Sequence, residues 1–118
     1  MKIEIRKQTE NGMKTVMMIT FHTNQERFES DYEKTKFFRE LHGWKQTVPR
    51  NGKKYVYQRS GLLDEVPHAK IADSVFIAAL EHMNRIESFF REWEDKVDCQ
   101  MHEIMMANKQ LKDMMRRI

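Results

Sequence analysis

The chain has little of what marks a specialised protein class. Its 118 residues include a single cysteine, Cys99. No disulfide can close within the chain, so the expectation is a reducing, cytoplasmic setting. Its two prolines (Pro49, Pro67) and four glycines (Gly12, Gly43, Gly52, Gly61) stand singly. That excludes collagen-like and linker-like chains and leaves no glycine-rich loop to cradle a phosphate. No apolar run approaches the roughly 20 residues that cross a bilayer, and no signal-peptide apolar segment stands at the front, so no membrane partner is expected. His22, His42, His68, His82 and His102 are scattered, and none stands at a metal-ligand spacing with Cys99. No cofactor is therefore expected.

What is present is a globular composition, 40% apolar and 33% charged. It suits one domain over 1–118, with an α+β core over 1–106 and a basic helix over 107–118. Charge is unevenly placed. Residues 34–59 carry eight basic side chains (Lys34, Lys36, Arg39, Lys45, Arg50, Lys53, Lys54, Arg59) against Glu40 alone. Residues 60–106 are net −6 and the tail 107–118 is net +3. A field of this kind steers an anionic partner more than it shapes a fold.

Local patterns divide the chain into elements. Residues 2–7 alternate, with Ile3 and Ile5 on one side, and Asn11-Gly12 offers a tight turn into a return strand over 15–22. Thr23, with Glu26 three residues on, suggests a helix cap, and apolar spacing from Phe28 through Tyr32 and Phe38 to Leu41 runs to Gly43. A second hairpin pairs 45–48 with 54–59 across Pro49-Arg50-Asn51-Gly52, and residues 60–72 read as a connector.

Residues 74–118 admit two readings. Met83, Ile86, Phe90, Trp93, Val97, Gln100, Ile104, Ala107, Leu111, Met114 and Ile118 form a heptad seam for one long helix. The favoured alternative is a strand over 74–80, a helix over 81–96, a strand over 97–102 and a final helix, because VDCQMH alternates as a strand does. Met17, Met18, Met101, Met105 and Met106 are expected to fill core, and Met114 and Met115 to serve either core or an interaction face.

In this order the elements predict a ferredoxin-like antiparallel sheet made of two βαβ halves, with an extra N-terminal hairpin strand and a C-terminal helix. Helices cover one sheet face, and the apolar second face predicts a homodimer. The first strand, the helix with Lys34, Lys36, Arg39 and Leu41, and Asp73-Ser74-Val75-Phe76 leading into a second helix carry a resemblance. Over roughly 15–105 the chain resembles the small ferredoxin-like family of the CRISPR adaptation small subunit and virulence-associated protein D. The resemblance implies that fold, dimer formation and contact with nucleic acid. Catalytic members carry an acidic residue after the first strand, where this chain reads Phe21-His22-Thr23-Asn24, so nuclease activity does not carry over.

Three small constellations compete with the basic segment. Asp64, Glu65 and His68 share a short loop and suit a metal-assisted nuclease, although a turn before Pro67 uses the same residues. Cys99 with His102 or His82 suggests a nucleophile and base, but a lone cysteine on a strand reads as core. His22 and Asn24 stand where a strand meets a helix N-terminus, a position and not a motif.

The basic segment is the strongest signal, because its cations interleave with aromatic residues. The expected function is non-catalytic nucleic-acid binding, DNA or RNA left open. Lys45, Arg50, Lys53, Lys54 and Arg59 meet phosphates, with Lys34, Lys36 and Arg39 in support and Tyr55 and Tyr57 as stacking platforms. Phe37, Phe38 and Trp44 read as core. The alternative is a protein-interaction module docking on an acidic surface or assembling through its C-terminal helix.

Overall fold

The computed structural model describes residues 12–116. In chain order they form β1 (Met13–Thr23), a 3-10 turn (Gln25–Arg27), α1 (Asp31–His42), β2 (Trp44–Arg50) and β3 (Lys53–Arg59). The single-turn α2 (Leu62–Glu65), β4 (His68–Ala72), β5 (Val75–Ala79) and a 3-10 turn (Leu80–His82) follow. The described chain closes with α3 (Met83–Glu92), β6 (Val97–Ala107) and α4 (Asn108–Arg116). The architecture is α+β with antiparallel sheets, in the order β4-β5-β1-β6 for the larger, while β2 and β3 make a sheet of their own.

β1 is free of glycine and proline and rich in β-branched residues, so it serves as the spine of the large sheet. It pairs with β6 from Met13 opposite Ala107 to Thr23 opposite Val97, and with β5 from Val16 to Thr20. Alternation sends Met17, Ile19 and Phe21 to one face and Val16 and Met18 to the other. On the first face lie Phe37 and Leu41 of α1, and Met83, Ile86 and Phe90 of α3 at helical spacing. Phe37 has no exposed surface, and its ring centre lies 5.0–6.4 Å from those of Phe21, Phe28, Phe38, Phe89, Phe90 and Trp93.

On the second face, Val16, Ala69 and Ile77 are buried, with Leu111 and Met114 of α4 packed on them beside Met18, Ile104 and Met106. This face, expected to be closed by a second copy, is closed at one end by α4 of the same chain. The rest of β6 on that face presents Asp98, Gln100 and His102, all exposed and polar.

Several expectations need correction. The strand expected over 2–7 lies outside the described residues, and β1 has β5 and β6 on its two sides. The helix cap is Ser30 and not Thr23: the Ser30 hydroxyl accepts the Glu33 N–H at 3.2 Å, while Thr23 remains in β1 opposite Val97. The basic hairpin does not join the sheet. The strand that follows α1 into the sheet is β4, taken from the sequence as connector because it buries only Ala69 among its five residues. The heptad helix is absent, since β6 runs as a strand through its middle. Met105 is 61% exposed and Tyr32 73% exposed, so neither fills core.

Candidate nucleic-acid interface

The hairpin owes its shape to two residues. Asn51 (φ 54) and Gly52 (φ 77) both take positive φ, the two-residue turn whose twist matches that of antiparallel strands. The turn is shorter than the four residues expected, so Arg50 and Lys53 face one another as the last rung. At the base, chain entry and exit cross at Gly43 and Gly61. A Cβ on Gly61 would stand 2.2 Å from the Gly43 nitrogen, so the two backbones are in direct contact. The Asp64 carboxylate accepts the Gly61 N–H at 2.9 Å and secures this crossing.

Register then sorts the side chains. One face of the ribbon carries the rungs Trp44/Arg59, Gln46/Tyr57, Val48/Tyr55 and Arg50/Lys53. The other carries Lys45/Gln58, Thr47/Val56 and Pro49/Lys54. On the first face every aromatic ring has a guanidinium over it. Arg39 of α1 lies 4.1 Å from the Trp44 ring centre, Arg59 5.3 Å from that of Tyr57, and Arg50 5.8 Å from that of Tyr55. Arg59 also donates from Nε to the Gln46 Oε1 at 2.7 Å. Every residue of β3 is exposed.

The electrostatics are one-sided. Among the described residues, Arg39, Lys45, Arg50, Lys53, Lys54 and Arg59 have no carboxylate partner, and within 34–59 Lys36 alone approaches one, Glu40 at 3.9 Å. Arg50 directly opposite Lys53 is a like-charge pair, which costs stability unless an anion is met there.

The ten sequence-predicted residues divide into three groups. Arg39, Arg50, Lys53, Tyr55, Tyr57 and Arg59 share the aromatic face. Lys36 extends it at the foot of the hairpin, where a cavity of about 210 Å³ is lined by Tyr32, Lys36, Arg39, Glu40, Trp44 and Ser60. Lys45 and Lys54 lie on the opposite ribbon face. Lys34 lies apart from the stripe, about 200° around α1 from Lys36, beside Phe38 and His42. Trp44, expected in the core, is half-buried and belongs to this surface, as does the exposed Tyr32. The signal for Trp44 was in the sequence, because a two-residue turn at Asn51-Gly52 places it on the same face as Tyr55 and Tyr57.

The competing constellations are engaged elsewhere. Glu65 pairs with Arg85, Asp64 holds Gly61, and His68 donates from Nδ1 to the Val66 carbonyl at 2.9 Å. Among the described residues no group of three His, Cys, Asp or Glu is placed to hold a metal ion. Cys99 packs against the core on the sheet face opposite His102, and burial pushes its thiol up to about 11. Burial also lowers the pKa of His42, with the neighbouring Lys70 and His68 adding to the effect. Among the described residues no helix is long and apolar enough to cross a membrane.

No protein-family model, curated protein or solved structure matches the chain.

Proposed function

We propose that this is a non-catalytic nucleic-acid-binding domain that contacts phosphates through the projecting β2–β3 hairpin. The observation that carries it is the row Arg59, Arg50 and Lys53, without a carboxylate partner among the described residues, interleaved with Trp44, Tyr57 and Tyr55 on one ribbon face, with Arg39 of α1 over Trp44. Free cations supply sequence-independent affinity, and aromatic rings among them suit bases better than they suit water.

The body behind the hairpin we infer to be ferredoxin-like, as in the small family named above. The support is the order β4-β5-β1-β6, with α1 between β1 and β4 in sequence and α3 between β5 and β6. A homodimer belongs to the same proposal. With α4 over one end of the second face, the surface that supports it is the outer edge of the 11-residue β6, whose ladder groups face no other strand among the described residues. Sedimentation equilibrium reads that state directly.

The binding test is a fluorescence-anisotropy titration of labelled oligonucleotides at about 50 and 200 mM salt, with Lys53→Glu/Lys54→Glu alongside. Affinity should fall steeply with salt and collapse in the variant. Absence of binding at the lower salt overturns the reading and turns attention to an acidic protein partner.

A further inference from the structure

A basic ribbon can meet a duplex or a single strand, and the placement of its rings distinguishes the two. In a duplex the bases are stacked inside and the phosphates stand outside, so a ribbon reading it meets bases and phosphates in different places. Here three guanidiniums lie over three rings of one ribbon face at 4.1–5.8 Å, Arg59 and Arg50 from the ribbon itself and Arg39 reaching across from α1. Successive rungs are about 6.8 Å apart, two residues of extended strand. Trp44, Tyr57 and Tyr55 therefore follow one another along about 14 Å, each with an arginine at hand. Base faces are open to stacking on such rings in an unpaired strand and are covered by their neighbours in a duplex.

We propose that the ligand of this hairpin is a single-stranded nucleic acid, with about three successive bases stacked on Trp44, Tyr57 and Tyr55. Arg39, Arg59 and Arg50 occupy those rings in the free protein and move to the phosphates, or sandwich the base, when the strand arrives. The cavity at the hairpin foot, with Tyr32 73% exposed beside Lys36, continues the track onto α1. The inference rests on the nucleic-acid reading and narrows it.

The test compares probes of equal charge in the full chain by anisotropy: a twelve-residue oligothymidylate, an oligouridylate of that length, an abasic deoxyribose-phosphate strand of that length, and a blunt duplex. Either pyrimidine strand should bind about tenfold or more tighter than the abasic strand, and the tighter of the two names the sugar. Tyr55→Leu/Tyr57→Leu, which keeps the ribbon apolar, should remove that preference and leave the abasic affinity in place. Tyr55→Phe/Tyr57→Phe should retain it, because the ring and not the hydroxyl stacks. Equal affinity for base-bearing and abasic strands, tighter binding of the duplex, or an unaffected leucine variant overturns the single-strand inference while the phosphate reading stands. Failure of all four probes overturns both.

Discussion

Gly43 and Gly52 flank the hairpin at its two ends with nearly the same φ, 81° and 77°, yet alanine should have very different effects at the two sites. At Gly52 a Cβ would meet nothing within 4 Å. The cost there is the left-handed conformation alone, about 1 kcal/mol. Gly43 combines φ 81° with ψ 173°, a region that is essentially glycine's own and costs other residues about 1–3 kcal/mol. Its added Cβ would also stand 2.3 Å from the Asp64 Oδ2, 2.6 Å from the Arg59 carbonyl oxygen and 2.9 Å from the Gly61 nitrogen. Asp64 can swing away only by giving up the Gly61 N–H, and the other two atoms are backbone. Overpacking of this kind adds about 1–3 kcal/mol, for a total of about 4 kcal/mol. That is a large share of the stability of a domain this size. Urea denaturation followed by circular dichroism measures both variants. Gly43→Ala should lower the midpoint by roughly the equivalent of 4 kcal/mol and Gly52→Ala by about 1, with slopes unchanged. Equal losses would show that the crossing at Gly61 is not crowded, and a Gly43→Ala loss below about 0.5 kcal/mol would refute the reasoning altogether.

Three further perturbations test other parts of the structure. Phe37→Ala, at the centre of the aromatic cluster, should cost about 3–5 kcal/mol by calorimetry, and Phe37→Leu distinctly less; a loss under about 1 kcal/mol would contradict its burial. With its thiol raised to about 11 by burial, Cys99 should react with a thiol reagent near pH 8 at least about tenfold slower in the native protein than in the urea-unfolded chain, since the greater nucleophilicity of the more basic thiolate offsets part of its lower population. Comparable rates would place it in solvent. Glu33, held below the usual carboxylate range by its bond from the Lys96 ammonium, contributes stability above the ordinary carboxylate pKa that is lost as pH falls through the lowered folded value. Lys96→Met should therefore destabilise more at pH 7 than at about pH 3, and equal losses at the two would remove the pair from the pH response.

Short-range patterns explain why several elements were legible beforehand. The β-branched run of β1, the Asn51-Gly52 turn, the helical spacing of Met83, Ile86 and Phe90, and the alternation that opens β6 are each written within a dozen residues. β4 was not legible, because an edge strand that buries only Ala69 has no alternation to show. Two similar capping patterns, Thr23 with Glu26 and Ser30 with Glu33, precede α1, so short-range pattern alone does not fix where the helix starts. Only the pairing of Thr23 with Val97, 74 residues away, removes the first from contention.

The candidate site divides in the same way. Composition and spacing alone determined that cations and aromatic rings are concentrated in 34–59 and that a turn lies at Asn51-Gly52. The tertiary structure decided that the hairpin stands outside the large sheet, that Arg39 reaches across from α1 to Trp44, that Lys34 lies off the stripe, and that α4 covers one end of the sheet's second face. The physical reason is range. Turn chemistry and alternation act between neighbouring residues, whereas the choice of which strand fills a sheet position depends on how much apolar surface each candidate can bury against distant partners. The sheet took β4, which buries Ala69 against Val16 and Ile77, and left the more polar β3, exposed at every residue, to solvent.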